Sequence, residues 1–105
     1  MSTPEFDLLI KNVRVVRPHG NVVHDGDIAV TGGRVAKVAP GIDATRAKAV
    51  YDGRSRLAFP GVVDAHMHSG IYSPRAEDAV SESKAAAMGG VTSSLNFLYG
   101  PPWFR

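Results

Sequence analysis

Two histidines one residue apart, His66 and His68, carry the most specific chemistry in the sequence. In an extended chain, residues two apart project to the same side, about 6.6 Å from each other at roughly 3.3 Å rise per residue. Two imidazoles so placed can close on one cation at zinc–nitrogen distances of about 2.0 to 2.1 Å. On a helix the same spacing would turn them about 200° apart, at roughly 100° per residue. The pair therefore makes sense as ligands only at the end of a strand, and the apolar Val62 and Val63 behind Pro60 and Gly61 place it there. Asp64 has the same parity one step deeper, where a carboxylate either orients an imidazole through its second nitrogen or holds the strand end. Met67 faces away. A bare His-x-His is commonly two surface histidines, so the surrounding elements decide.

Those elements follow from the residue pattern. The first 58 residues set β-branched residues in short bursts between Gly, Asp and Pro, which reads as short strands and turns. Residues 7–10 and 13–16 form one extended stretch broken at Asn12, and residues 17–21 form a turn. Residues 28–30 and 35–38 flank Thr31, Gly32, Gly33 and Arg34, a hairpin signal because glycine supplies the positive φ of tight turns. Residues 49–52 and 55–59 suggest another pair around Gly53 and Arg54. After Pro60 and Gly61 the pattern changes. Residues 62–65 read as a short buried strand, followed by a loop and an alanine-rich helix with Ser73 as N-cap and Pro74 at its first position. Glu77 and Asp78 in its early turns and Lys84 in its last part suit the helix dipole, and Gly89 and Gly90 end it. Residues 91–99 alternate as a second strand. Strand, helix and strand make a βαβ unit with parallel strands. A lone unit of that kind cannot cover both faces of its strands, and the upstream strands keep unpaired edges.

In this setting Pro60-Gly-Val-Val-Asp-Ala-His-Met-His68 resembles the signature ending the first barrel strand of the metal-dependent amidohydrolase superfamily: Pro-Gly, an apolar pair, Asp, any, His, any, His. Residues 7–16, 26–30, 33–38 and 51–53 resemble the strands these enzymes place before the barrel. Glu77, Asp78 and residues 84–92 resemble the first barrel helix and second strand of the hydantoinase, dihydropyrimidinase and allantoinase branch, the cyclic amidohydrolases. The resemblance implies an α/β fold in which residues 59–105 are the first βαβ unit of a (β/α)8 TIM barrel. Residues 1–58 would be the N-terminal part of a small β-sandwich domain. The whole would be incomplete, because such a barrel takes about 250 residues.

It further implies that His66 and His68 bind the more buried of one or two divalent ions, with zinc the default for imidazole ligands. The other ligands, a bridging lysine, two histidines and a proton-shuttling aspartate, would lie downstream of Arg105, and the catalytic residues with them. The implied reaction is metal-assisted hydrolysis that opens the C–N bond of a small cyclic amide or imide, with carbonyl and water both activated. These 105 residues alone would be inactive, the rest of the barrel coming from the same or a second chain, in a homo-oligomer. One departure narrows the branch. Dihydroorotases carry an arginine two residues after the second histidine to grip a substrate carboxylate, and Gly70 stands there, which weakens that reading. The alternatives are another branch (an N-acyl-amino-acid deacylase or a deaminase) or a non-catalytic, β-rich docking module.

Composition excludes several other classes. Of 105 residues, 44% are hydrophobic and 21% charged, as in ordinary globular proteins. Twelve basic against ten acidic side chains give a net charge of +2, too thin for a nucleic-acid footprint. The absence of cysteine removes disulfides, Cys-ligated zinc and thiol nucleophiles together. Apolar runs fall far short of the roughly 20 residues of a membrane span, and no secretory leader is visible, so the cytoplasm is the expected location. His19 and His24 read as loop residues. The glycine pairs at 32–33 and 89–90 lack phosphate-loop spacing, and Trp103 and Phe104 behind Pro101 and Pro102 read as a loop.

Overall fold

The computed structural model describes residues 3–17 and 19–98, with only the backbone at Leu98. Pro18 of the first turn, the expected continuation of the last strand to Tyr99 and the loop at 101–104 lie outside the described residues. The chain divides into two compact units, Met1–Phe59 and Pro60–Arg105. It is a mixed α/β chain built mostly of strands.

The first unit is a single sheet of β1 (Phe6–Arg17), β2 (Val22–Thr31), β3 (Arg34–Ala39), β4 (Ala47–Asp52) and β5 (Leu57–Ala58). The order is β3-β2-β1-β4, with β5 also on β1. Strands β1 to β3 are antiparallel neighbours. Gly32 and Gly33, at φ 58° and 73°, make the β2–β3 turn that the glycine pair calls for.

The pairing expected between residues 49–52 and 55–59 does not form. Both segments run parallel to β1, β4 along its first half and β5 beside Arg14 and Val15. The cause lies at Asn12, where β1 carries a bulge and the backbone turns to φ 54°. The bulge carbonyls capture the incoming chain: Lys11 O accepts the Gly53 N–H and Asn12 O the Ser55 N–H, each at 2.7 Å. The segment after β4 is thereby held alongside β1 instead of folding back. Gly53 is required at that approach, since a Cβ there would lie 2.2 Å from Val13 Cγ1 and 2.9 Å from Lys11 O.

The extra residue also restarts the alternation of β1. Leu9 joins Phe6, Ala29 and Ile42 in the core cluster, flanked by Ala39 and Ala47. Val13 and Val15 are buried outside that cluster. Beneath the bulge sits Asp27, 3% exposed. Its carboxylate accepts the N–H groups of Asn12 and Ile42, each at 2.9 Å, and pairs with Lys11 Nζ at 3.3 Å. Burial pushes this carboxyl up, but the two N–H donors and Lys11 outweigh it and hold its pKa below the ordinary carboxylate value.

The second unit is β6 (Val62–Ser69), α1 (Arg75–Met88) and β7 (Val91–Leu98), with β6 and β7 parallel. The helix lays Ala79, Ser83 and Ala86 over a groove of about 310 Å³ shared with Met67 and the β7 residues Thr92, Ser94 and Asn96. Its start differs from expectation: the N-cap is Pro74, with no side-chain capping bond. The Ser73 hydroxyl, one residue before the cap, donates to the Asp78 carboxylate. Gly89 and then Gly90, at φ 87°, terminate the helix.

The strand expected to be buried is uncovered. Val62 and Val63 are 51% and 66% exposed. No residue of α1 is buried, and every buried hydrophobic residue among those described lies in the first unit. A parallel pair with one short helix has nothing to close its other face.

Candidate functional site

Both histidines lie near the end of β6. Their rings meet edge to face, with centroids 4.6 Å apart at 76°, and the two Nε2 atoms are 2.8 Å from each other. At that distance one ring N–H donates to the other nitrogen. Two nitrogens that share a tetrahedral zinc at about 2.0 to 2.1 Å would stand roughly 3.3 Å apart. The same two atoms therefore reach one cation with a relaxation of roughly half an ångström. Among the described residues no three His, Cys, Asp or Glu side chains come together to hold a metal. The donor set is two imidazoles, which suits a borderline-soft ion such as zinc and leaves its other positions to further ligands.

The strand that carries them is tied to β7 from its first residue. The Val62 N–H donates to Gly90 O at 3.0 Å. Gly61 admits the neighbouring strand, because a Cβ there would fall 2.2 Å from Thr92 Oγ1 and 2.4 Å from its Cγ2. Gly61 before the strand is thus a packing requirement as well as punctuation. Between Asp64 and Met67 the β6–β7 register shifts by one residue, so counting back from His68 by twos does not carry unbroken to Asp64. Asp64 Oδ1 accepts the backbone N–H of His66 at 3.0 Å. Of the two roles open to this carboxylate, that bond performs the second, fixing the backbone of the liganding stretch.

Phe97 is a member of the site that the sequence pattern did not single out. In register with His68, it stacks on the His66 ring at 4.5 Å and 28° and leans on His68 at 5.9 Å. The parallel register is the signal that would have found it. A flat apolar face against one imidazole restricts its rotation and so aims Nε2. On the other side of the strand end, Ser69 is 1% exposed and its Oγ donates to Asn96 Oδ1 at 3.2 Å. Gly70 follows at φ 82°.

Of the remaining candidates only His19 is the loop residue expected, exposed in the β1–β2 connection. His24, read from the neighbouring Asp25 and Gly26 as a loop residue, is instead a half-buried strand residue in register with Val15, held there by the antiparallel pairing of β2 with β1. Arg75 begins α1 and is exposed. No helix among the described residues is long and apolar enough to cross a membrane.

Relatives named dihydroorotase, allantoinase and adenine deaminase match the chain. The chain is 37% identical over 89 residues to a dihydroorotase of Solibacter usitatus, covering 82% of this chain and 20% of that protein. It is 40% identical over 93 residues to an allantoinase of Escherichia coli O139:H28, covering 86% of this chain and 19% of the relative. Among solved structures, the L-hydantoinase (dihydropyrimidinase) from Arthrobacter aurescens superposes with a TM-score of 0.72 at 30% identity, over 91% of this chain and 22% of that one. No family model matches the chain. The chain spans about a fifth of the length of the curated relatives it matches.

Proposed function

We propose, from the place of this chain in the cyclic amidohydrolase branch of the amidohydrolase superfamily, that it is the N-terminal portion of a metal-dependent hydrolase that opens cyclic amide or imide C–N bonds. The observation that carries the reading is the convergence of the His66 and His68 Nε2 atoms to 2.8 Å at the tip of a strand. In this reading β6, α1 and β7 are the first βαβ unit of a (β/α)8 barrel, and the five-stranded sheet before it belongs to a β-sandwich. Sites in such barrels are built at the C-terminal ends of the strands, which is where the two histidines stand on β6. The uncovered valines of β6 and the unburied helix are the faces that further barrel strands and helices would cover.

His66 and His68 would hold the divalent ion, zinc by default. When bound, that ion supplies Lewis-acid activation of an amide carbonyl and of water. The residues of this chain do the positioning: Phe97 orients His66, Asp64 fixes the backbone at His66, and Gly61 lets β7 approach. The remaining ligands and the proton-shuttling group belong to later strands. The complete enzyme is read as a cytoplasmic homo-oligomer acting on a small cyclic amide.

Gly70 bears on the substrate. It brings no side chain with which to grip a carboxylate, and its φ of 82° and the Arg75 Cβ, which would lie 3.1 Å from a Cβ there, disfavour one. Ring substrates without a carboxylate, such as hydantoins, dihydropyrimidines and allantoin, fit this better than dihydroorotate. The test is His66→Ala in the full-length enzyme, assayed for bound metal and for ring opening of those substrates beside dihydroorotate. Loss of metal and of turnover is expected, with dihydroorotate the poorest substrate of the parent enzyme. Retained metal and turnover in the variant would overturn the assignment.

A further inference from the structure

We propose that Asp78 is a positioning residue for the histidine pair, acting through the loop that leaves β6; the proposal rests on the reading of His66 and His68 as metal ligands. The strand ends at Ser69, one residue past His68. The next residue, Gly70, donates its N–H to Asp78 Oδ2 at 2.7 Å, and the Ser73 hydroxyl donates to Asp78 Oδ1. One carboxylate on the first turns of α1 thus holds both ends of the Gly70–Ser73 loop.

The strand end is pinned from two sides. Ser69, 1% exposed, ties it to Asn96 of β7, and Gly70 ties it to the helix. Asp78 is a better clamp than a neutral acceptor, because hydrogen bonds to an ionised oxygen are roughly twice as strong as neutral ones. Its pKa is held below the ordinary carboxylate value by the Ser73 hydroxyl first and the Gly70 N–H second, against a smaller effect of burial. The helix therefore fixes where the backbone after His68 goes, and with it the tilt of the strand tip on which Nε2 of His68 meets Nε2 of His66. Loosening the clamp would let the two nitrogens drift while leaving every ligand in place.

The experiment compares Asp78→Ala, Asp78→Asn, Ser73→Ala and His66→Ala in the full-length enzyme. Zinc affinity is read by chelator competition, ligand geometry by the absorption spectrum of the cobalt(II) form, and turnover as separate kcat and KM. Asp78→Ala should weaken zinc binding by on the order of tenfold to a hundredfold, as lost supporting contacts around ligands do. Its cobalt spectrum should change, and kcat should fall with KM little moved. Asp78→Asn keeps one carbonyl oxygen for Gly70 and should be intermediate, as should Ser73→Ala, which removes half the clamp. Unchanged zinc affinity and cobalt spectrum in Asp78→Ala, alongside zinc loss in His66→Ala, would overturn the positioning role alone. Zinc retained by His66→Ala would overturn the metal reading beneath it. Should Asp78→Ala fail to fold, the other two variants decide: intermediate zinc affinity in both supports the role, and parental affinity in both overturns it.

Discussion

Replacing Asp27 with alanine should remove a large share of the first unit's stability. The carboxylate is 4% exposed, accepts two backbone N–H groups at 2.9 Å and faces Lys11 Nζ at 3.3 Å. Truncation leaves the Asn12 and Ile42 N–H groups without an acceptor, at about 1 to 3 kcal/mol each. Lys11 keeps only its 2.7 Å bond to the Ile42 carbonyl. The two stranded N–H groups together cost about 2 to 6 kcal/mol. A unit the size of Met1–Phe59, at about 0.05 to 0.15 kcal/mol per residue, has only about 3 to 9 kcal/mol to lose. Urea unfolding of the 105-residue chain at neutral pH, with hydrogen exchange of the β1 and β2 amides, reads this unit directly. Asp27→Ala should lose amide protection across both strands, and Asp27→Asn should fall between it and the parent. The folded carboxyl has the lower pKa, so its contribution is present above the unfolded carboxylate value and disappears as pH falls through the folded one. Asp27→Asn should therefore flatten the acid side of the stability profile. A Asp27→Ala chain within roughly 0.5 kcal/mol of the parent, the range of an ordinary surface change, would refute the reasoning.

Three further outcomes are expected. Gly61→Ala should drive β6 off β7 and destabilise the second unit by about 1 to 3 kcal/mol, as overpacking does, with Thr92→Gly restoring part of the loss; exchange protection of the β7 amides checks it, and failure of the double variant to recover would count against the contact at 2.2 Å. Gly53→Ala should cost several-fold more than Gly32→Ala, because the former meets backbone and Val13 whereas nothing lies within 4 Å of the latter; Gly32→Ala should lose only about 1 kcal/mol for its positive φ, as urea midpoints would show. His19→Ala, in an exposed turn, should leave metal content and turnover of the full-length enzyme at parental values, in contrast to His66→Ala.

Local pattern carries a good part of this molecule. The Gly32-Gly33 hairpin, the glycine stop of α1, the strand–helix–strand order and the common side of His66 and His68 follow from conformational preferences and periodicity that act within a few residues. What pattern misread depends on groups distant in the chain. Residues 49–59 look like a hairpin because each half is a good strand, yet the bulge at Asn12, some 40 residues away, supplies the carbonyls that pull them both onto β1. Ser73 has the composition of an N-cap, but the helix begins one residue later than that reading needs, and its hydroxyl serves the Asp78 carboxylate five residues on. Asp64 keeps its parity on paper and loses it to a register shift between two strands.

The sequence alone determined which side chains could bind a cation, that they must sit on a strand to do so, and which local signals bracket that strand. The tertiary structure decided how close the two nitrogens come, that Phe97 braces one ring, and that Asp78 ties down the chain beyond the other. Those depend on the β6–β7 register and on how α1 is seated, which are set by contacts summed over many separated residues. No single short stretch contains them.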